Sequence, residues 1–167
     1  MQLVHAHEEQ LAEIMEIYRN VVQMMNKQGI YQWAEDYPNE DVLKNDIAKG
    51  NLYTLLDEGQ IAAIVALDQE FEPEYEQIPW QDQSGRFLVV HRLCVNPDNQ
   101  GKGVSRILMQ EIERFAREHG YASIRLDTQM ANEKAMRLYD VNGFEQRGTF
   151  HFPGSDKPHM AYEKLIG

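Results

Sequence analysis

The sequence predicts an α+β domain, a twisted mixed sheet of roughly six to seven strands flanked by about four helices. Three observations carry that expectation. A chain of 167 residues suits one compact domain spanning residues 1–167. Apolar residues at 43% and charged residues at 26% match ordinary globular usage. The periodicity is mixed, with a hairpin of apolar strands early in the chain and strand-helix units later.

Residues 1 to 5 suit a short strand, and Leu11, Ile14, Met15, Tyr18, Val21, Val22 and Met25 recur at helical spacing through a helix ending near Gly29. Pro38-Asn39-Glu40-Asp41 reads as a helix start, with Val42, Leu43 and Ile47 as its apolar face and Gly50 as its stop. LYTLLD and IAAIVALD flank Glu58-Gly59, which predicts a tight hairpin between two strands central in the sheet. From Asp68 to Gly85 the chain is polar, acidic and aperiodic, and it carries Phe71, Tyr75 and Trp80. A long loop is expected there, its rings either walling a pocket or pinning the loop down. RFLVVHRLCV reads as a buried strand closed by a turn at Asn96-Pro97-Asp98-Asn99. Val104, Ile107, Leu108, Ile112, Phe115 and Ala116 then mark a helix ended by His119-Gly120. SIRLDT is a strand, Asn132 to Asn142 a helix, and FEQRGTF with HMAYEKL a terminal pair of strands.

The net charge of −11 argues against nonspecific binding to nucleic acid, whose phosphates require a basic surface. The acidity is confined to residues 1–85, with 17 Asp and Glu against 4 Lys and Arg, while residues 86–167 carry 10 against 12. Two readings of that asymmetry stand: a well-solvated first half, or a division of labour in which the second half holds an anionic cofactor and the first draws a cationic partner. No apolar run approaches the ~20 residues of a membrane span, and MQLVHAHEEQ lacks a secretion-signal pattern. Cys94, the only cysteine, forms no internal disulfide. No membrane partner and a cytoplasmic location are therefore expected.

The first informative motif is Gln100-Gly101-Lys102-Gly103-Val104-Ser105, between a strand and a helix. Two glycines let backbone approach a ligand, and amides at a helix start bind phosphate oxygens. The loop lacks the four-residue spacer and Lys-Ser/Thr pair of a P-loop, which disfavours a nucleoside triphosphatase. The second motif is NEKAMRLYDVNGF, Asn132 to Phe144. Together the two resemble the signature of the GCN5-related N-acetyltransferase (GNAT) superfamily, Gln/Arg-x-x-Gly-x-Gly/Ala followed by Asn-x-x-Ala-x-x-Leu-Tyr-x-x-x-Gly-Phe. They sit one strand-helix unit apart, and the likeness extends over roughly residues 50 to 150. Ser105 departs from the usual Gly or Ala, and its hydroxyl alters the expected phosphate contact.

The resemblance implies the GNAT fold, acetyl-CoA (coenzyme A) as co-substrate without a metal, and direct transfer of the acetyl group to a primary amine. It implies that backbone groups of Leu93, Cys94 and Val95 meet the pantetheine arm. Amides from Gln100 through Gly101, Lys102, Gly103, Val104 and Ser105 would hold the pyrophosphate, with Asn132 on the pantetheine and Lys102 and Lys134 as phosphate-side cations. Tyr139 matches the tyrosine that protonates the departing thiolate, a role suited to a phenol that is neutral at pH 7. An attacking amine must also lose a proton, and His91 is the candidate acceptor, sharing a strand face with Leu93 and Val95 by the period of two. Glu76, Asp82, Glu35 and Asp36 stand in reserve. A cysteine nucleophile is disfavoured, because alternation turns Cys94 from that face and apolar neighbours raise its pKa.

In this superfamily the acceptor pocket is built from the early helices and the loop before the cofactor strand, here Tyr31, Trp33, Tyr37, Tyr75 and Trp80. Aromatic and acidic residues together suit a small cationic amine. Rival readings are a peptide or protein acceptor and a noncatalytic acyl-CoA-binding sensor, and the superfamily is compatible with a homodimer.

Overall fold

The computed structural model describes residues 1–34 and 36–167; Glu35, a reserve candidate for the base, lies outside the described residues. Its strands are β1 (Gln2–His5), β2 (Leu52–Asp57), β3 (Gln60–Asp68), β4 (Phe87–Val95), β5 (Ser123–Gln129), β6 (Glu145–Phe150) and β7 (His159–Leu165). Its α-helices are α1 (Leu11–Lys27), α2 (Glu40–Ala48), α3 (Val104–Glu118) and α4 (Glu133–Val141). The strands form one mixed sheet in the order β1-β2-β3-β4-β5-β7-β6. The α+β class and the order of elements are as the periodicity predicts. Among the described residues no helix is long and apolar enough to cross a membrane.

The chain divides into two compact units, Met1–Leu67 with His91–Glu111 and Asp68–Val90 with Ile112–Gly167. In the first, β1 runs antiparallel to β2 and β2 antiparallel to β3. Strands β2 and β3 meet at Glu58-Gly59, both left-handed with φ 52° and 83°, the geometry of a two-residue hairpin turn. Helix α1 buries Leu11, Ile14, Ile17, Tyr18, Val21, Val22 and Met25 on one stripe. Much of that stripe packs with Leu43 of α2, Leu52 of β2, Ile61, Ile64 and Ala66 of β3, and Cys94. The Asn39 side chain accepts from the Val42 amide and starts α2 where Pro38-Asn39 predicts it.

In the second unit, Phe87, Leu88 and Val89 of β4 pair in parallel with Ser123, Ile124 and Arg125 of β5. Strand β5 is antiparallel to β7 throughout, from Ser123↔Leu165 to Gln129↔His159, and β6 pairs antiparallel with β7. The segment from Asp68 to Gly85 is not wholly a loop, since Pro73–Gln77 forms a 3-10 turn. It lies on the β5/β7 face and is anchored by side chains. Pleating turns Ser123, Arg125 and Asp127 to one face, and each binds the segment. Ser123 donates to Asp82 (2.6 Å), Arg125 donates to the Asp82 carbonyl (2.9 Å), and Tyr75 donates to Asp127 (2.6 Å). From β7, the buried Glu163 accepts the Gln81 and Asp82 amides at 2.9 and 3.1 Å and Arg147 Nε at 2.7 Å.

Candidate active site

In the first unit the residues expected to meet a cofactor lie on β4 and on the loop beyond it. Arg92 adopts φ 51°, a left-handed conformation that costs a non-glycine residue roughly 1–2 kcal/mol. Tertiary contacts hold it there. The Tyr18 hydroxyl donates to the Arg92 carbonyl at 2.6 Å, and the guanidinium donates to Asp46 through Nε (2.8 Å) and Nη2 (2.7 Å) and to the Tyr37 hydroxyl (3.2 Å). Burial disfavours charge on Arg92, but Tyr37 and Asp46 outweigh it and strengthen the guanidinium's hold on its proton.

This kink corrects one expectation. A left-handed residue breaks the period of two, so the face shared by Leu93 and Val95, both half-buried, cannot be extended across Arg92 to His91. His91 is itself half-buried. Cys94 is buried in the core, where desolvation pushes its thiol far up despite hydrogen bonding from Ile64 and Tyr18, so it is no nucleophile.

Past β4, Gly101 and Gly103 take φ 82° and 74°, and α3 begins at Val104. A Cβ at either glycine would meet no atom within 4 Å, and Gly101, Lys102 and Gly103 are exposed. Left-handed residues beside a helix start turn successive amides toward one concavity, an arrangement that binds phosphate oxygens. Gln100 and Ser105 are half-buried at its ends, and Val104 is buried, fastening the helix start to the core.

The early aromatics divide. Trp33 packs edge-on against Tyr18 (5.8 Å between ring centres), and Tyr37 meets Arg92, so both gather about the kink in β4. Tyr31 is exposed, as is Asp36.

In the second unit Asn132 caps α4, accepting the Ala135 amide at 3.1 Å, and Lys134 is exposed on the first turn. Tyr139 is buried against the rings of Phe144 and Tyr162. Desolvation, then the charges of Asp127 and Tyr162, push its hydroxyl well above the usual phenol range, so it holds its proton at neutral pH.

Tyr75 and Trp80, expected in the acceptor pocket, are instead core residues of this unit. They are 3% and 8% exposed, the Trp80 indole donates to the Tyr75 carbonyl at 2.8 Å, and Arg125 lies 4.6 Å over the indole. The physical reason is the face they cover: Val89 of β4, Phe150 of β6 and Ala161 of β7, which pack with these rings, would otherwise be exposed. Asp82 is likewise engaged. Burial raises its carboxyl, but hydrogen bonds from Ser123 and Ser84 and the Arg125 charge outweigh this and hold it below the usual range. Glu76 is exposed.

The structure also presents residues not singled out from the sequence. Asp127 of β5 bonds Tyr75, and its Oδ2 lies 2.9 Å from Nδ1 of His159 on β7. A signal for Asp127 exists in the alternation Ser123, Arg125, Asp127 against Ile124, Leu126, Thr128. Nothing local marks His159.

Comparison with known proteins identifies the family and the fold. The model of the acetyltransferase (GNAT) family matches residues 13–144. N-acetyltransferase 8F1 of Rattus norvegicus is 31% identical over 111 residues, 65% of this chain and 46% of that protein. The chain spans less than half the length of the mammalian relatives it matches. A GNAT-family acetyltransferase from Streptococcus agalactiae 2603 superposes with a TM-score of 0.86 at 24% identity, over 98% of this chain and 94% of that one. The Salmonella typhimurium protein yncA, solved with its cofactor acetyl-CoA, superposes with a TM-score of 0.70 at 16% identity, over 100% and 94%. At these identities the superpositions speak for the fold.

Proposed function

This chain belongs to the acetyltransferase (GNAT) family, and from that premise we propose that it is an acetyl-CoA-dependent N-acetyltransferase. It moves an acetyl group to a primary amine by direct attack, and its acceptor is a small cationic amine. The observation that carries the reading is the state of the two signature segments. Gln100–Ser105 is an open left-handed glycine loop ending at a helix start, and Asn132–Phe144 is a capped helix with a buried, protonated Tyr139.

The residues fit coenzyme A. The amides of Gln100 to Ser105 suit the pyrophosphate, with Lys102 exposed beside them. Backbone groups of Leu93 to Val95 serve the pantetheine arm, as does Asn132, and Lys134 adds positive charge. Acetyl-CoA supplies an activated acyl group on a thiol leaving group. Tyr139 holds the proton that a departing thiolate requires. Positioning and fixed dipoles supply most of the acceleration. The attacking amine must also lose a proton, and His91 is the candidate acceptor on β4. The excess of 17 acidic over 4 basic residues in positions 1–85, with Trp33 and Tyr37 gathered in that region, supports a cationic acceptor.

The test is titration of the purified protein with acetyl-CoA, then release of free thiol across polyamines, aminoglycosides, amino acids and peptides, with Tyr139→Phe as control. Saturable binding and amine-dependent thiol release that falls about 10²–10⁴-fold in the variant are expected. Binding without turnover on any amine would assign a sensor, turnover on peptides alone would reassign the acceptor, and no binding would sink the reading.

A further inference from the structure

In the second unit, side chains from two other elements converge on the carboxylate of Asp127. Asp127 of β5 accepts the Tyr75 hydroxyl on Oδ1 at 2.6 Å and faces His159 Nδ1 with Oδ2 at 2.9 Å. Register explains the meeting. Asp127 pairs with Ala161 and Gln129 with His159, so His159 is the diagonal neighbour of Asp127 on the same pleated face. His159 is buried, its side chain 8% exposed and seated against Phe150 (5.5 Å between ring centres) and Phe152 (4.8 Å).

A carboxylate on Nδ1 has a definite chemical consequence. It selects the neutral tautomer protonated at Nδ1, leaves Nε2 with its lone pair, and stabilises the imidazolium formed when Nε2 takes a proton. Tyr75 fixes the other oxygen of Asp127, so the carboxylate cannot turn away without losing that bond. Such an arrangement exceeds what is needed to join β5 to β7, which already pair from end to end. Asp127 also acts electrostatically on Tyr139, so one carboxylate bears on both the imidazole and the phenol.

We propose that His159, oriented by Asp127 and Tyr75, is the general base that accepts the amine proton. The proposal rests on the acetyltransferase reading and names the proton acceptor of that same reaction. The amine nitrogen bonds to the acyl carbon, the carbon–sulfur bond breaks, and the sulfur takes the Tyr139 proton. His159 Nε2 takes the proton shed by nitrogen, and that proton returns through water to the Tyr139 oxygen, so none is gained or lost overall. Asp127 and Tyr75 are positioning residues. Among the described residues, the titratable groups brought to the ring are Asp127 from β5 and, about that carboxylate, Tyr75 by a hydrogen bond and Tyr139 electrostatically. Strand β6 and the segment after it present the rings of Phe150 and Phe152.

The experiment measures kcat/KM against pH, with the amine that the wild type acetylates best, for wild type, His159→Gln, His91→Gln and Asp127→Asn. Acetyl-CoA affinity and thermal unfolding are measured on the same samples. His159→Gln keeps an N–H for Asp127 but has no base. It is expected to bind acetyl-CoA normally, lose about 10²–10⁴-fold in kcat/KM, and lose the acidic limb of the profile. Exogenous imidazole should restore part of the rate to His159→Ala. In the wild type, ¹⁵N spectra of the neutral imidazole should show the His159 proton on Nδ1.

A folded His159→Gln with the acidic limb intact would overturn the proposal while leaving the acetyltransferase reading in place. So would loss of that limb in His91→Gln alone. An Nε2-protonated tautomer overturns it without recourse to any variant. Failure of the wild type to bind acetyl-CoA or release thiol would remove the reading and this proposal with it.

Discussion

Two connections in this chain, Asp68 to Gly85 and Gln100 to Ser105, are built on opposite principles. The first is held by side chains: Tyr75 on Asp127, Asp82 on Ser123, and two of its amides on the buried carboxylate of Glu163. The second is shaped by backbone, with two left-handed glycines and an open side. A connection committed to its own sheet has few groups left for a ligand, whereas a glycine loop with no side chains in the way presents its amides. Rich chemistry in a loop is therefore a poor guide to its role. The acidic, aromatic segment looks more functional on paper, and the structure uses much of it as cover for β5 and β7.

The contrast can be broken at its strongest anchor. Glu163 is fully buried and bonded to Gln81, Asp82 and Arg147. Glu163→Ala removes the partner of two amides and of Arg147 Nε, and should cost about 3–5 kcal/mol in urea unfolding. Tyr75→Phe keeps the ring packing and deletes one bond to a carboxylate. A loss of about 1.5–3 kcal/mol is expected, read by the same unfolding curves.

In the glycine loop the order of effects reverses. Gly103→Ala meets no atom, so only the left-handed strain of roughly 1–2 kcal/mol is at stake. Because the loop can relieve that strain by moving, unfolding should change by no more than this amount. Acetyl-CoA affinity, measured by calorimetry, should fall by about tenfold, the equivalent of ~1.4 kcal/mol. Equal losses of stability and affinity at both loops would erase the distinction.

The smallest effect is in pH. The Asp82 carboxyl is held below its usual value in the folded state, so its contribution is present above the unfolded value of about 3.9 and is lost as pH falls through the folded one. Asp82→Asn should flatten the decline of Tm on the acid side and leave the slope near neutrality unchanged.

Which parts of this were legible in the sequence follows from the range of the forces involved. The stripe on α1, the Asn39 cap, the Glu58-Gly59 turn and the left-handed glycines Gly101 and Gly103 are local. Each depends on neighbours a few residues away, so spacing alone specifies it. The paired motifs at Gln100 and Asn132 were legible for the same reason, and through them the family. The kink at Arg92 was not. A left-handed arginine has no local cause and exists because Asp46, Tyr37 and Tyr18 are brought to it from α2, the segment before it and α1.

The fate of Tyr75 and Trp80 and the meeting of Asp127 with His159 are of the same kind. Sequence composition says that aromatic rings and polar groups are present, but whether a ring lines a pocket or fills a core depends on which face lies beneath it. His159 stands 32 residues from Asp127, and no pattern within either strand refers to the other. The sequence by itself determined the elements and the cofactor motifs, since those rest on short-range periodicity and backbone preference. Only the tertiary structure decided the register of β5 on β7, and with it which carboxylate would orient which imidazole.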